Sequence, residues 1–553
     1  MSRTLKTLLV YACLSAVYLL YLPHALPVLD DWTNLQMFDQ ARGSGISGSL
    51  LFLHRIADNT AYGRFRLFWA SYVAAYGFSF VAGFAAWAYC LLAWIVHLIT
   101  AFLLCRTVSL LGGDAATAFL AGALYSAFPA ANNGLFWPLP EYYLQAAVLL
   151  WWFQHTWRKL AVCGDYRYRW KDAAALCPAV FCGEHILAAV ALLLPVTGWL
   201  FADRAKRRDL LRFWAAHVAV MAILLGLYAG LVNRAPIGPG LASRYSGGSR
   251  WSPWPFAARL LASLGLNPGL AEWRPEWRIE PALVALLALA AVAFLGGLPK
   301  GVSRGAIQMR LLAWSAAGVL LTYAPTALLP GFEWRYLYVP AAFLVMSGVA
   351  VLGLLRAPIR NGVVFLAVAY GLTLSYFEMR QCWMPQSREA RAILEAVASA
   401  KPVERGEVLI FSRALYSIGP APSFIAGASW SLKAMLEHTT GATQVHGARE
   451  LLVNENGDLA LYNRDRVDPF AQGNLSRLRV FVREPDGRFL PKPWLALSVS
   501  GERFRLIPLR PNLRRSVPLE LMTRDELERL PFSRDIYFAH PHSGTLPGVV
   551  PHA

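Results

Sequence analysis

The chain has 553 residues, 56% of them hydrophobic and only 16% charged, with a mean hydropathy of +0.40. Soluble domains carry nearer ~25% charged residues, and here the apolar residues gather into long runs, so a polytopic α-helical membrane protein is expected and an ordinary soluble enzyme is excluded. The formal charge of +18 would suit a nucleic-acid binder, but much of the basic excess lies in short loops between apolar runs, the pattern of topogenic charge, so no nucleic-acid partner is expected.

The first apolar run, 6–22, follows the basic start "MSRTLK". Its end, "YLPHALPVL", is a weak cleavage site, so an uncleaved first helix is expected. Asp30 and Asp31 stand side by side directly after it, at the head of a long outer loop, 23–81. Within that loop residues 61–78 are aromatic and amphipathic, suited to lie along the membrane surface. Further runs fall at 82–105, 115–131, 143–156, 173–183, 185–202, 212–232, 279–298, 311–329, 337–355 and 361–378, making eleven spans. Several are shorter than the ~20 residues of a straight crossing.

Lys and Arg crowd into 155–172, 203–212, 300–310 and 356–360. With these loops in the cytoplasm, an eleven-span chain starts inside and sets Asp30, Asp31, Glu141, Glu184 and Glu333 at the opposite face. The count is tightest at 173–202. Two short helices meeting at "CGEHIL" would set Glu184 and His185 at the outer surface, and this is preferred to one long helix that buries an ionisable pair in hydrocarbon.

After Arg380 the character changes. Residues 381–553 hold no further run; "SREARAILEAVASAK" (387–401) has helical period, and "GEVLIFS" (406–412) and "RLRVFVRE" (477–484) read as strands. A mixed α/β soluble domain outside the membrane is expected, with a loose tail, "FAHPHSGTLPGVVPHA". Six of the seven cysteines lie in or near apolar runs, as small core residues do. Neither a CxxC nor a His/Cys cluster suggests a metal.

Polar residues in unusual places are the candidates for chemistry. The Asp30–Asp31 pair has two readings: a helix N-cap before "WTNLQMF", or a paired-carboxylate site. His97 sits alone in an apolar span, where packing outweighs a proton relay. Glu141 lies among the interfacial aromatics Trp137 and Tyr142. Arg244 and Arg250 fall in a Gly- and Trp-rich outer loop, "SRYSGGSRWSPWPF", and Arg335 opens a span at the outer face, where its planar guanidinium is suited to phosphate.

Taken in order, these features resemble the GT-C superfamily of integral-membrane glycosyltransferases, closest to the branch of the protein O-mannosyltransferases and the bacterial lipid A aminoarabinose transferases. The acidic pair in the first outer loop is one element. "IVHLITAFLL" is loosely similar to that family's N-H-L-x-N-A helix. "AFPAANNGLFW" resembles its His-Pro turn, with Phe128 for His, and "GEHILAAVALLLP" its Lys-Glu pair, with Gly183 for Lys. "EWRYLYVPAA" (333–342) is near-literal at Arg335, Tyr336, Leu337 and Tyr338.

The resemblance covers about residues 1–380. It implies a transmembrane catalytic domain there, with 381–553 extracytoplasmic, and inverting transfer of a hexose or pentose from a polyprenyl-phosphate carrier. The acceptor would be a glycan, lipid or protein at the outer face of a bacterial inner membrane. Asp30 would be the general base and Asp31 its tuning neighbour. Arg335 would bind the carrier phosphate, with Glu141, Glu184, His185, Arg244, Arg250, Tyr338 and Trp137 contacting substrate. Phosphate leaves without a general acid, so one base suffices. No cofactor is required, although a divalent cation between acids and phosphate is compatible with the chemistry. The rival readings are a transporter or flippase of a lipid-linked glycan, against which no half-to-half repeat is found, and a non-catalytic cell-envelope protein anchoring the C-terminal domain.

Overall fold

The computed structural model describes residues 2–58, 69–129, 132–139, 141–232, 280–297, 305–327, 337–400, 402–415, 417–418, 421–422, 424, 429–453, 459–463, 466–500, 502–509 and 521–541. The chain divides into two compact units, Met1–Ala25 with Phe38–Gln381, and Leu26–Met37 with Cys382–Ala553.

The first unit is helical. Its elements begin with α1 (Arg3–Leu14), capped by the Ser2 hydroxyl, which accepts from the Leu5 N–H at 3.2 Å. The helix breaks at Ser15, whose hydroxyl turns back to the Tyr11 carbonyl at 2.9 Å. A 3₁₀ segment carries on to His24, bent by 58° from α1. There follow α2 (Asp30–Gly43), which starts in the other unit, α3 (Gly45–Asp58), α4 (Trp69–Ala82), α5 (Ala86–Leu110), α6 (Ala115–Ser126), α7 (Asn132–Phe136), α8 (Glu141–Ala161), α9 (Trp170–Phe181), α10 (Leu187–Phe201) and α11 (Arg207–Leu227). The last four are α12 (Pro281–Gly297), α13 (Gly305–Ala327), α14 (Tyr338–Leu352) and α15 (Ala357–Glu378), closed by a π-helical turn at Met379–Trp383.

Among the described residues, four helical stretches are long and apolar enough to cross a bilayer, Ala86–Leu110, Arg204–Gly230, Gly305–Tyr323 and Ala357–Ser399, or five counting the bent N-terminal pair as one span. Ala70–Ala82, Ala115–Ser126, Leu187–Phe201, Pro281–Gly297 and Tyr338–Leu352 are apolar but shorter. The chain is therefore a membrane protein of the α-helical class with a sheet-bearing C-terminal region. Of the stretch expected to lie along the surface (61–78), residues 61–68 fall outside the described residues, and the rest belongs to the apolar α4.

Close backbone approach packs these helices. A Cβ at Gly318 of α13 would stand 2.1 Å from the Phe343 ring of α14, so only glycine fits there. Pro195 inside α10 cannot bond the Ala191 carbonyl, and the Trp214 indole of α11 takes that carbonyl at 2.7 Å. The basic loop after α8 is stapled by Asp172, which accepts from Lys159 Nζ at 2.5 Å and from the Arg169 N–H at 2.7 Å.

The second unit is built on α16 (Met384–Ser399), β1 (Val408–Ser412), β2 (Ser417–Ile418), β3 (Ala421–Pro422), α17 (Ser429–Thr440), β4 (His446–Ala448), β5 (Glu450–Val453), β6 (Leu459–Asn463), β7 (Arg466–Phe470), β8 (Leu478–Arg483), β9 (Phe489–Lys492), β10 (Trp494–Ser500), β11 (Arg503–Pro508), β12 (Met522–Thr523), α18 (Arg524–Glu528), β13 (Ile536–Phe538) and β14 (His540–Pro541). The sheets run β4-β1-β8-β9, β12-β11-β10-β13 and β14-β5-β6-β7, with β2 and β3 as a small pair. β1 lies parallel to both neighbours, pairing Ile410 with Ala448 and with Val480. All five of its residues are buried, as an inner parallel strand requires.

The segment Leu26–Met37 packs into this second unit. The Leu29 N–H donates to the Phe424 carbonyl at 2.8 Å, Gln36 Nε2 to Glu437 at 3.1 Å, and the Trp32 and His438 rings lie 6.3 Å apart. The pattern that reads 23–81 as one outer loop does not convey this grouping.

Candidate functional site

Asp30 and Asp31 are the first two residues of α2. Just before them Leu29 takes a left-handed backbone, φ 45°, a conformation that costs a branched residue energy and needs outside support. The support is visible. Asp31 Oδ2 accepts from the Val28 N–H at 2.9 Å, the Asp31 N–H donates to the Val28 carbonyl at 3.0 Å, and the Leu29 N–H is held by Phe424. Asp31 is 1% exposed and ties down the turn. Asp30 stays half-buried at the helix start, where unpaired N–H groups and the helix dipole favour a negative charge. Asp31 thus ties the chain that precedes the helix rather than capping the amides of the helix itself, and Asp30 opens the helix next to the strained Leu29. Beside the pair, Trp32 Nε1, Thr33 Oγ1 and Asn34 Oδ1 are buried with no hydrogen-bond partner among the described residues.

The first unit holds a second polar cluster, wholly interior. Asn132 Oδ1 accepts from the Tyr18 hydroxyl at 2.8 Å and from the Ser375 hydroxyl at 2.8 Å, while its Nδ2 donates to Glu378 Oε2 at 2.6 Å. These bonds fix the amide's orientation and the direction of every proton in this arm.

His97 makes the other arm. Its Nε2 faces the Ser126 carbonyl at 3.3 Å and its Nδ1 the Tyr338 hydroxyl at 2.9 Å. A carbonyl can only accept, so Nε2 carries the hydrogen and the Tyr338 hydroxyl donates to Nδ1. The Tyr18 and His97 rings, 6.0 Å apart, bring the arms together. His97 is a satisfied interior residue, in line with the packing preference drawn from its span.

The third place is the break between α9 and α10. The chain passes through a 3₁₀ turn, Glu184–Ile186, and the Ser71 hydroxyl donates to the Cys182 carbonyl at 3.0 Å, closing the end of α9. Two helices do meet at "CGEHIL". His185 in this turn is buried within the protein, 4% exposed.

Of the remaining sequence candidates, Trp137 is half-buried in the bend after α7, and Tyr338 opens α14 with its hydroxyl on His97. Glu141 opens α8 and Glu184 the 3₁₀ turn, but their side chains fall outside the described residues, as do Arg244, Arg250, Glu333 and Arg335 altogether. The structure brings Tyr338 to His97 and groups Asp30 with Asp31. The interior bond of Asn132 to Glu378 was not anticipated, although a polar pair inside "AFPAANNGLFW" and a lone acid ending the last apolar run were signals.

A comparison of the sequence with models of known protein families gives no match, and a comparison with curated proteins gives none either.

Proposed function

We propose that the chain is an inverting glycosyltransferase of the GT-C type. It spans the bacterial inner membrane eleven times and moves a hexose or pentose from a polyprenyl-phosphate carrier to a glycan, lipid or protein acceptor outside. The observation that carries this reading is the strained turn at Leu29, in which the Asp31 carboxylate is bonded to the backbone and the adjacent Asp30 lies half-buried at the start of α2. The His97–Tyr338 hydrogen bond adds support, because it joins two of the segments on which the resemblance rests.

In this mechanism Asp30 takes the proton of the acceptor hydroxyl as its oxygen attacks the anomeric carbon. The bond from that carbon to the phosphate oxygen breaks on the opposite side, and the carrier phosphate leaves with the electron pair. Asp31 holds the turn, so Asp30 pays no reorganisation during the step. Arg335 neutralises the departing phosphate. The test is transfer by the purified protein in proteoliposomes containing a radiolabelled polyprenyl-phosphate hexose or pentose, with the product's anomeric configuration read by NMR. The reading expects an inverted product. A retained configuration, or no transfer to any envelope fraction offered as acceptor, would refute it.

A further inference from the structure

Gln145 lies near the start of α8 and is 0% exposed, yet neither its Nε2 nor its Oε1 has a hydrogen-bond partner among the described residues. A primary amide offers two donors and two acceptor lone pairs, and leaving all of them unmet in an apolar interior is costly. The neighbour explains why the amide sits there. A Cβ added to Gly183 would come within 2.5 Å of Gln145 Nε2, 2.6 Å of its Cδ and 3.0 Å of its Oε1, so the missing side chain at 183 makes the space the amide occupies. Gly183 belongs to the α9–α10 break, and irregular backbone inside a membrane unit is found where it is buried in protein or lines a polar space.

We infer that Gln145, seated against Gly183 at this break, is a recognition residue for the hydroxyls of a saccharide. The chemistry selects the class. Adjacent sugar hydroxyls each donate and accept, and so meet both ends of the amide. A phosphate only accepts and would leave Oε1 unmet, and hydrocarbon meets neither end. This rests on the proposed transferase reading for the source of the saccharide, which is the sugar carried on the lipid donor. It adds a residue to which that reading assigns no role.

The test measures equilibrium binding of three probes to the full-length protein in nanodiscs: a polyprenyl-phosphate hexose, a polyprenyl-phosphate pentose and sugar-free polyprenyl phosphate. Gln145→Leu should weaken the better sugar-bearing probe about tenfold, the worth of a lost hydrogen bond or two. It should leave the sugar-free lipid unchanged, and the unfolding temperature should hold or rise, since an apolar side chain replaces unmet polar atoms. Gly183→Ala should reproduce the loss by pushing the flexible amide tip aside.

Unchanged binding of both sugar-bearing lipids by Gln145→Leu overturns the inference and leaves an amide served by ordered water only. Equal losses for sugar-bearing and sugar-free lipids overturn it too, as does wild-type protein that prefers neither sugar-bearing probe over the sugar-free lipid. Binding is read without turnover, so the two claims fail separately. Gln145-dependent sugar binding without transfer refutes the transferase alone, and transfer with Gln145-independent binding refutes this inference alone.

Discussion

In the helical unit, Asn132, Tyr18, Ser375 and Glu378 exchange hydrogen bonds of 2.6–2.8 Å, and both nitrogens of His97 are bonded. In the Leu26–Met37 segment, the same kinds of group are handled differently. A left-handed Leu29 is held in place, Asp31 is used to hold it, and Asp30 is left half-exposed beside buried polar atoms that have no partner among the described residues. A closed network stabilises and orients a fold. Strain and unmet polar groups mark the place where the energy of folding has been spent on something else. By that contrast the His97–Asn132 cluster is scaffold, and the acidic turn is where chemistry is expected.

The largest effect should come from opening the closed network. Asn132→Ala strips partners from Tyr18, Ser375 and Glu378 together, and at about 1–3 kcal/mol for each buried group left unmet the total should reach roughly 4 kcal/mol. Thermal unfolding in detergent checks this. A shift of the size normal for a surface substitution would mean that the cluster is hydrated and that the contrast is false.

Tyr338→Phe removes the hydroxyl that donates to His97 Nδ1 and should cost about 2 kcal/mol, read in the same melts. Donor affinity unchanged by this variant would sharpen the assignment of Tyr338 to scaffold and remove it from the substrate contacts.

At the turn the sign should reverse. Leu29→Gly relieves a left-handed branched residue and should stabilise the protein by about 1 kcal/mol, while slowing any transfer by loosening the display of Asp30. A variant that is both more stable and fully active would show that the strain serves nothing.

The smallest effect is a pH control in the second unit. Tyr537 accepts from the Leu451 N–H at 3.2 Å, and burial pushes its phenol up to about 12. A phenol raised from its ordinary value of about 10 favours folding in its protonated form. That contribution is complete below about pH 10 and is lost as the pH rises through about 12. Tyr537→Phe should cost about 1 kcal/mol at neutral pH. The gap between variant and wild type should close, then invert, in denaturant melts taken toward alkaline pH, and a gap that widens would contradict the sign.

How much of this was written in the sequence depends on the distance over which each feature is decided. The helices at 86–110 and 357–378 follow from apolar runs, and β1 and β8 from short β-branched runs, because local pattern and burial coincide there. The paired helices around "CGEHIL" were legible from the basic loops that bracket them. The Asn132–Glu378 bond was not, since it joins residues 246 positions apart and each partner looks like a stray polar group in its own run. Nor was the placing of Leu26–Met37 with the C-terminal unit, which rests on the Leu29–Phe424 backbone bond and carries no periodic signal. Gln145 was invisible for another reason. Its significance is the absence of hydrogen-bond partners among the described residues, which only the packed structure reveals.

The central claim is that the turn commits Asp31 to the backbone so that Asp30 can take a proton. Its most direct test is the rate of sugar transfer from a polyprenyl-phosphate donor by Asp30→Asn and Asp31→Asn, each compared with wild type at equal folded protein. Asp30→Asn is nearly isosteric and should fold normally while transfer falls about 10²–10⁴-fold, the usual worth of a general base. Asp31→Asn still offers an oxygen to the Val28 N–H and should lose far less. An Asp30→Asn protein that transfers sugar at the wild-type rate would contradict the account.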